Sequence, residues 1–346
     1  MPDSTVEPGD NRPVKKILLF DDCGQMRDAG PGSRMTAVWF VSPGGPVSCL
    51  FVEHLCVIDC ALLHPQRGLI GESWIVDVEL EGGLDEQGMV LDFGRVKPLI
   101  KALIDEHVDH RLVLARGDPG LTLEPCDDGR VSLRYRYEGG ELLHRSPSSA
   151  LCLLGSDAVT AAAVEAHVGV LCAAAMPANV TAVRITLRPE DIAGPSYRYV
   201  HGLRQHAGNC QRIAHGHRSR IEVFRDGLRC EASERWLADR WHDIYLGSRG
   251  DLAAGESGQE GETWRFRYRA PQGEFELVLD RERCELMDTE STVEQIAAYA
   301  ARLLKGRDPG SSYRVRAYEG VRNCLLYTSD AADEDCLVGG GGGGGG

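Results

Sequence analysis

The stretch NCQRIAHGHRSRIEVF, residues 209–224, sets His215 and His217 on either side of one glycine, with Cys210 five residues upstream of His215. An apolar–polar alternation follows, the pattern of a strand, and on a strand residues i and i+2 face the same way. The two imidazoles therefore project together. His201 closes another strand-like run, SYRYVHGL, and its separation from His217 suits two neighbouring antiparallel strands joined by a loop. Three neutral imidazoles around Zn²⁺ leave a fourth coordination position open, which is the catalytic rather than the structural arrangement. His206, in RQHAGN, competes as the third ligand. The plainer reading of a histidine pair on a strand is two solvated or hydrogen-bonded side chains. Cys210 also carries two readings: a small, partly buried apolar residue, or a thiol activated by zinc and by cations such as Arg212.

A second constellation lies far upstream. GMVLDFGRVKPLIKALIDEHVDHRL carries an amphipathic helical pattern that ends at the adjacent pair Asp109–His110. A carboxylate beside an imidazole orients it and keeps it basic, which is what a proton shuttle needs. The plainer reading is a polar pair that merely ends a helix.

A repeated framework has to position both groups. Residues 70–78, IGESWIVDV, align with 215–223, HGHRSRIEV, at an offset of 145, with glycine second in each. VSLRYRYEGGELLHR and WRFRYRAPQGEFELVL both read as hairpins, turning at Gly-Gly and Pro-Gln-Gly. Helical segments over 156–175 and 291–304 follow, then strands within VTAVRITLRPE and YRVRAYEG. Ser291 or Thr292, with Glu294, predicts the N-terminal cap of the second of these helices. The copies are unequal. At this offset His215 faces Ile70, His217 faces Glu72, His201 faces Cys56 and Cys210 faces Pro65. Only the first copy has the Asp-His pair; the second has His242–Asp243 in reverse order.

The chain's 346 residues suffice for two domains, and a hydrophobic content of 42% supports a core. A net charge of −14 argues against nucleic acid or an anionic membrane as partner. Twelve cysteines without repeated short spacing fit free thiols in a reducing, cytoplasmic setting. No apolar run opens the chain, and its most apolar stretch, AVTAAAVEAHVGVLCAAAMPANV, holds Glu165 and His167. Neither a signal peptide nor a membrane span is expected. Residues 1–47, rich in Pro, Gly and Asp, are expected to form a disordered extension. Residues 324–346, ending in eight glycines, read as a sequencing artefact outside the fold.

The motifs resemble the 6-pyruvoyl-tetrahydropterin synthase / 6-carboxy-tetrahydropterin synthase family. That family has a strand ending in a zinc-binding histidine, a loop with a catalytic cysteine, and His-Gly-His opening the next strand. GMVLDF at 88–93, Asp109–His110 in HVDHRL, TESTVE and VRAYEG resemble its further elements. Cys210 and His215 are separated by four residues where the family has three. The resemblance implies His201, His215 and His217 as Zn²⁺ ligands, Cys210, Asp109 and His110 as catalytic residues, and Glu319 as anchor for a pterin ring. It implies an α+β fold of two tandem tunnelling-fold (T-fold) domains, 48–192 and 193–323, each an antiparallel four-stranded sheet with two helices on one face. Only the second would hold zinc, and the chain would form a homo-oligomer. In the family the active site forms where subunits meet, so a tandem chain can divide the parts between its copies.

The implied activity is a lyase reaction on 7,8-dihydroneopterin triphosphate, eliminating triphosphate. The carboxy-forming branch also loses acetaldehyde and feeds 7-deazaguanine (queuosine) synthesis; residue logic does not separate it from the pyruvoyl-forming branch, and Ala/Arg/Gly usage of bacterial character favours the former. The rivals are a zinc- and pterin-binding homologue without activity, and a hydrolase using zinc-bound water.

Overall fold

The computed structural model describes residues 16–20, 26–27, 38–41, 48–253, 262–321 and 323–329. Most of the 1–47 and 324–346 segments, expected to lie outside the fold, thus falls outside the described residues. In chain order the strands begin with β1 (Lys16–Phe20), β2 (Met26–Arg27), β3 (Val38–Val41), β4 (Ser48–His64) and β5 (Gly68–Gly82). Then come α1 (Phe93–His107), β6 (Leu112–Ala115), β7 (Leu121–Pro125), β8 (Arg130–Tyr137), β9 (Gly140–Pro147), β10 (Leu151–Leu154), α2 (Ala161–Ala175) and β11 (Val180–Arg188). The second half has β12 (Ser196–His201), β13 (His215–Arg225), β14 (Leu228–Arg229), α3 (Glu231–Arg240), β15 (Ile244–Ser248), β16 (Thr263–Ala270) and β17 (Gly273–Asp280). It closes with β18 (Cys284–Met287), α4 (Val293–Arg307), β19 (Tyr313–Glu319) and β20 (Asn323–Ser329). Among these helices none is long and apolar enough to cross a membrane.

The chain divides into two compact units. The first comprises Met1–Leu55, Asp77–Leu103 and Ala161–Leu187. It contains the small antiparallel sheet β2-β1-β3 and the pairing of β5 with β11. Glu165 on the Ala-rich helix α2 accepts a hydrogen bond from the Leu187 amide at 2.7 Å, which pins helix to strand. Asn179 caps the neighbouring loop, donating to the carbonyls of Gly83 and Val90.

The second unit comprises Cys56–Val76, Ile104–Thr160 and Arg188–Gly346, and so takes segments from both sequence repeats. One sheet here runs β10-β6-β4-β5; another runs β18-β15-β12-β13-β19-β20. The four-stranded antiparallel sheet expected for each copy is not what forms. β4·β6, β6·β10, β12·β15 and β15·β18 are parallel pairs. The added strands are mostly four-residue apolar runs such as LVLA and LCLL, too short to stand out from their flanks. They join in parallel because the chain returns to the sheet through longer connections, α1 and α3 among them. The two expected hairpins, β8–β9 and β16–β17, do form, and they meet through β9·β17 in one five-stranded antiparallel sheet, β16-β17-β9-β8-β7. Its inner face buries Leu133, Tyr135, Phe266, Phe275 and Leu277 in a common core. Each such side chain contributes about 1.5–3 kcal/mol on removal from water.

Pairing also corrects the sequence alignment of the copies. Leu112 joins β6 to both Ala61 and Leu151; Tyr245 joins β15 to both Val200 and Cys284. Ala61 thus corresponds to Val200, and His201 corresponds to Leu62 rather than Cys56. The first copy turns over within residues 65–67, whereas the second spends 202–214 on a loop. The offset of 145 survives only where it places Gly71 with Gly216.

Candidate metal and catalytic site

Strand register brings the three histidines together. His201 pairs directly with His215, and Tyr199 with His217. Side chains on one face of an antiparallel pair are neighbours, and the ring centroids of His201 lie 4.4 Å from His215 and 5.1 Å from His217. All three rings are buried, and each offers a nitrogen within 4.8 Å of the others. Their second nitrogens are held in place. His201 Nδ1 donates to the Ser291 carbonyl at 3.0 Å, and His215 Nδ1 to the Arg212 carbonyl at 2.9 Å. Both rings therefore turn Nε2 inward, where His201 Nε2 lies 3.1 Å from His217 Nε2.

His215 Nε2 is buried and has no hydrogen-bond partner among the described residues. Leaving such a lone pair unmet costs about 1–3 kcal/mol. Burial holds the His201 and His215 imidazoles well below their ordinary pKa, so they are neutral, the form that binds metal. Three converging imidazole nitrogens, one of them orphaned, fit a divalent cation such as zinc.

Asp109 and His110 sit at the corner between α1 and β6, within the same unit. Asp109 Oδ2 lies 2.6 Å from His110 Nδ1. The corner puts His110 at φ 54°, a left-handed conformation unusual for a side chain with a Cβ. The His110 ring stands 5.0 Å from that of His215, and a nitrogen of each lies within 4.8 Å of Cys210 Sγ. Burial alone would depress the His110 pKa; hydrogen bonds to Asp109 and Cys210 outweigh it and raise the pKa to about 11.

Cys210 rides on the 202–214 loop, which the β16–β17 hairpin ties down. Tyr268 donates to the Gln211 carbonyl at 2.8 Å, and Gln272 Nε2 to Asn209 Oδ1 at 2.9 Å. Arg212 reaches from this loop to the carbonyls of Asp109 and His110 at 3.2 and 3.3 Å. The loop of one repeat thereby grips the acid–histidine corner of the other.

Glu319, at the end of β19, brings Oε1 to 3.5 Å from His217 Nε2 and 3.7 Å from His201 Nε2. The seven residues singled out in the sequence thus gather within one chain. His206 does not join them. It is exposed, with Nδ1 on the Ala207 carbonyl, because the loop turns it outward before Cys210 turns in. Asp59 and Ser73 were missed as site residues; Arg212 was read only as a cation near Cys210, and Ser291 only as a possible helix cap. A lone acid inside the apolar run LCVIDCALL was the one available signal for Asp59. Arg218 Nη1 donates to the Glu190 carbonyl at 2.8 Å, and Arg220 lies 3.5 Å from the Glu190 carboxylate.

Residues 57–167 match the family model described as 6-pyruvoyl tetrahydropterin synthase. That stretch contains Asp109–His110 and ends before the three histidines. A 6-carboxy-5,6,7,8-tetrahydropterin synthase of Rickettsia bellii is 38% identical over 60 residues, 17% of this chain and 39% of that protein. The enzyme of the same name from Rickettsia conorii is 33% identical over 75 residues, 21% of this chain and 50% of that protein. The chain spans half or less of the length of these curated relatives. The solved 6-pyruvoyl tetrahydropterin synthases of Plasmodium vivax and Plasmodium falciparum each align over 41% of this chain and 91% of theirs, at 16% identity and a TM-score of 0.35.

Proposed function

We propose, from a chain whose residues 57–167 belong to the 6-pyruvoyl tetrahydropterin synthase family, that this protein is a zinc-dependent lyase of the 6-carboxy-tetrahydropterin synthase type. Its substrate is 7,8-dihydroneopterin triphosphate, in 7-deazaguanine or pterin biosynthesis. One observation carries the reading: three buried imidazoles, a cysteine and an acid–histidine pair converge within a single chain. The printed name shared by the Rickettsia relatives supports the carboxy-forming branch. As parts of the same reading, the copies are bounded at 48–192 and 193–323, and the protein works in the cytoplasm as a homo-oligomer.

Held by His201, His215 and His217, zinc would supply Lewis-acid polarisation of the substrate's side-chain oxygens. Cys210 Sγ is the base that removes a side-chain proton. His110 exchanges that proton, since its ring lies beside the Cys210 sulfur on one side and faces Asp109 on the other. Asp109 keeps the ring in one orientation. Glu319 accepts hydrogen bonds from the N–H groups of the pterin ring and sets its distance from the sulfur.

The test is turnover of 7,8-dihydroneopterin triphosphate by the full chain loaded with zinc, followed by chromatography of the product. Cys210→Ala should lower turnover at least about 100-fold while zinc stays bound. Unchanged turnover in that variant, or none in the zinc-loaded wild type, would sink the enzyme reading.

A further inference from the structure

We infer that Asp59 is a positioning residue for the metal ligand His217, so that the first repeat sets the metal affinity of a site whose ligands all come from the second. This rests on the metal site proposed above. His201 and His215 each donate Nδ1–H to a backbone carbonyl. His217 differs: its buried Nδ1 lies 3.2 Å from Asp59 Oδ1. A carboxylate facing the outer nitrogen of a ligating histidine fixes the tautomer and makes the inner nitrogen a stronger donor.

Asp59 is itself held in place. It is buried on β4, its carboxylate bonded to the Ser73 hydroxyl, and that hydroxyl accepts the Arg218 amide at 3.0 Å. Gly320, at φ 62°, leaves the carboxylate its space; a Cβ there would collide with it. The Asp59 backbone serves the other half of the site. Its amide donates to Asp109 Oδ1 at 2.8 Å, and its carbonyl accepts the His110 amide at 2.7 Å. One residue therefore ties the ligand to the acid–histidine pair.

The counterpart crossing repeats the device with other residues. By the corrected alignment Arg198 corresponds to Asp59, and Glu72 to His217. Arg198 and Glu72 form an ion pair at 3.0 Å. Both crossings set an acid against a base from the other repeat, and only one of them ends in an imidazole.

The experiment measures Zn²⁺ affinity by chelator competition and the visible absorption of bound Co²⁺ for the full-length wild type, D59A, D59N, S73A and H215A, with the melting temperature of each metal-free form. Asp59→Ala should weaken Zn²⁺ about 10–100-fold and shift the Co²⁺ spectrum. Asp59→Asn keeps an acceptor at Oδ1 and should recover most of the affinity, while Ser73→Ala should lose less than D59A in the same direction. Metal-free melting temperatures should stay close together. Affinity in D59A within twofold of wild type, or D59N as weak as D59A, overturns the inference while H215A still confirms the site. If D59A does not fold, undiminished affinity in S73A overturns it. A wild type that binds no better than H215A overturns the metal site itself.

Discussion

Gly71 and Gly216 press against one another where β5 crosses β13. A Cβ built on Gly216 would lie 2.7 Å from the Gly71 Cα and 2.6 Å from the Tyr199 carbonyl oxygen; one on Gly71 would lie 2.6 Å from the His217 amide nitrogen. These are backbone neighbours, which cannot swing aside. The two glycines occupy the same place in the two copies, so the repeat meets itself at the position that brings Ser73 against Arg218 and, one residue beyond Gly216, His217 into the site.

Substitution at this crossing should be costly. Gly216→Ala or Gly71→Ala is expected to destabilise the fold by about 3 kcal/mol, the upper range for overpacking. Gly83→Ala, where an added Cβ meets nothing within 4 Å, should stay within about 0.5 kcal/mol of wild type. Chemical denaturation of the three variants decides it.

Arg212 should matter to rate more than to binding. Its guanidinium joins the Cys210 loop to the carbonyls of Asp109 and His110. Arg212→Ala should let the pair drift from the sulfur and lower kcat about 100-fold, the usual cost of a misplacement near 1 Å. Arg212→Lys should rescue little, since an ammonium cannot span the two carbonyls and the Gln272 side-chain oxygen together. Equal kcat in all three proteins would refute this.

Adjacent residues at the start of α4 should part company. Thr292 Oγ1 accepts the Gln295 amide as the helix cap, whereas Ser291 is buried and takes His201 Nδ1. Thr292→Ala should cost about 1 kcal/mol of stability and leave metal affinity alone. Ser291→Ala keeps the carbonyl and loses the hydroxyl, so it should weaken Zn²⁺ modestly with little change in metal-free stability. Thermal melts with and without chelator separate the two effects.

His144 should make stability depend on pH. It lies between Leu133 and Leu277 in the five-stranded sheet, and burial lowers its pKa to about 4. The unfolded chain, at about 6.5, takes up the proton first, so this contribution is complete above pH 6.5 and is lost as pH falls towards 4. The full loss is about 3 kcal/mol. Denaturant midpoints at a series of pH values should show that slope in wild type and a flatter one in His144→Leu. The same slope in both would place the effect elsewhere.

Much of this was legible in the sequence because it is local. The i, i+2 geometry of a strand put His215 and His217 on one face, alternation marked both hairpins, and adjacency in the chain set the Asp109 carboxylate beside the His110 ring. Other relationships depend on what the chain packs against. Which of Ser291 and Thr292 caps α4 was settled by the buried ring of His201, which claims the first. The four-residue strands β6 and β10 carry no period long enough to read, and pairing alone defines them. Asp59 and His217 lie 158 positions apart in the sequence, and no spacing rule relates them. Local backbone geometry repeats wherever a pattern occurs, so it can be read from the pattern; convergence across repeats exists only once the glycine crossing lets two strands approach closely enough for their side chains to share one buried space.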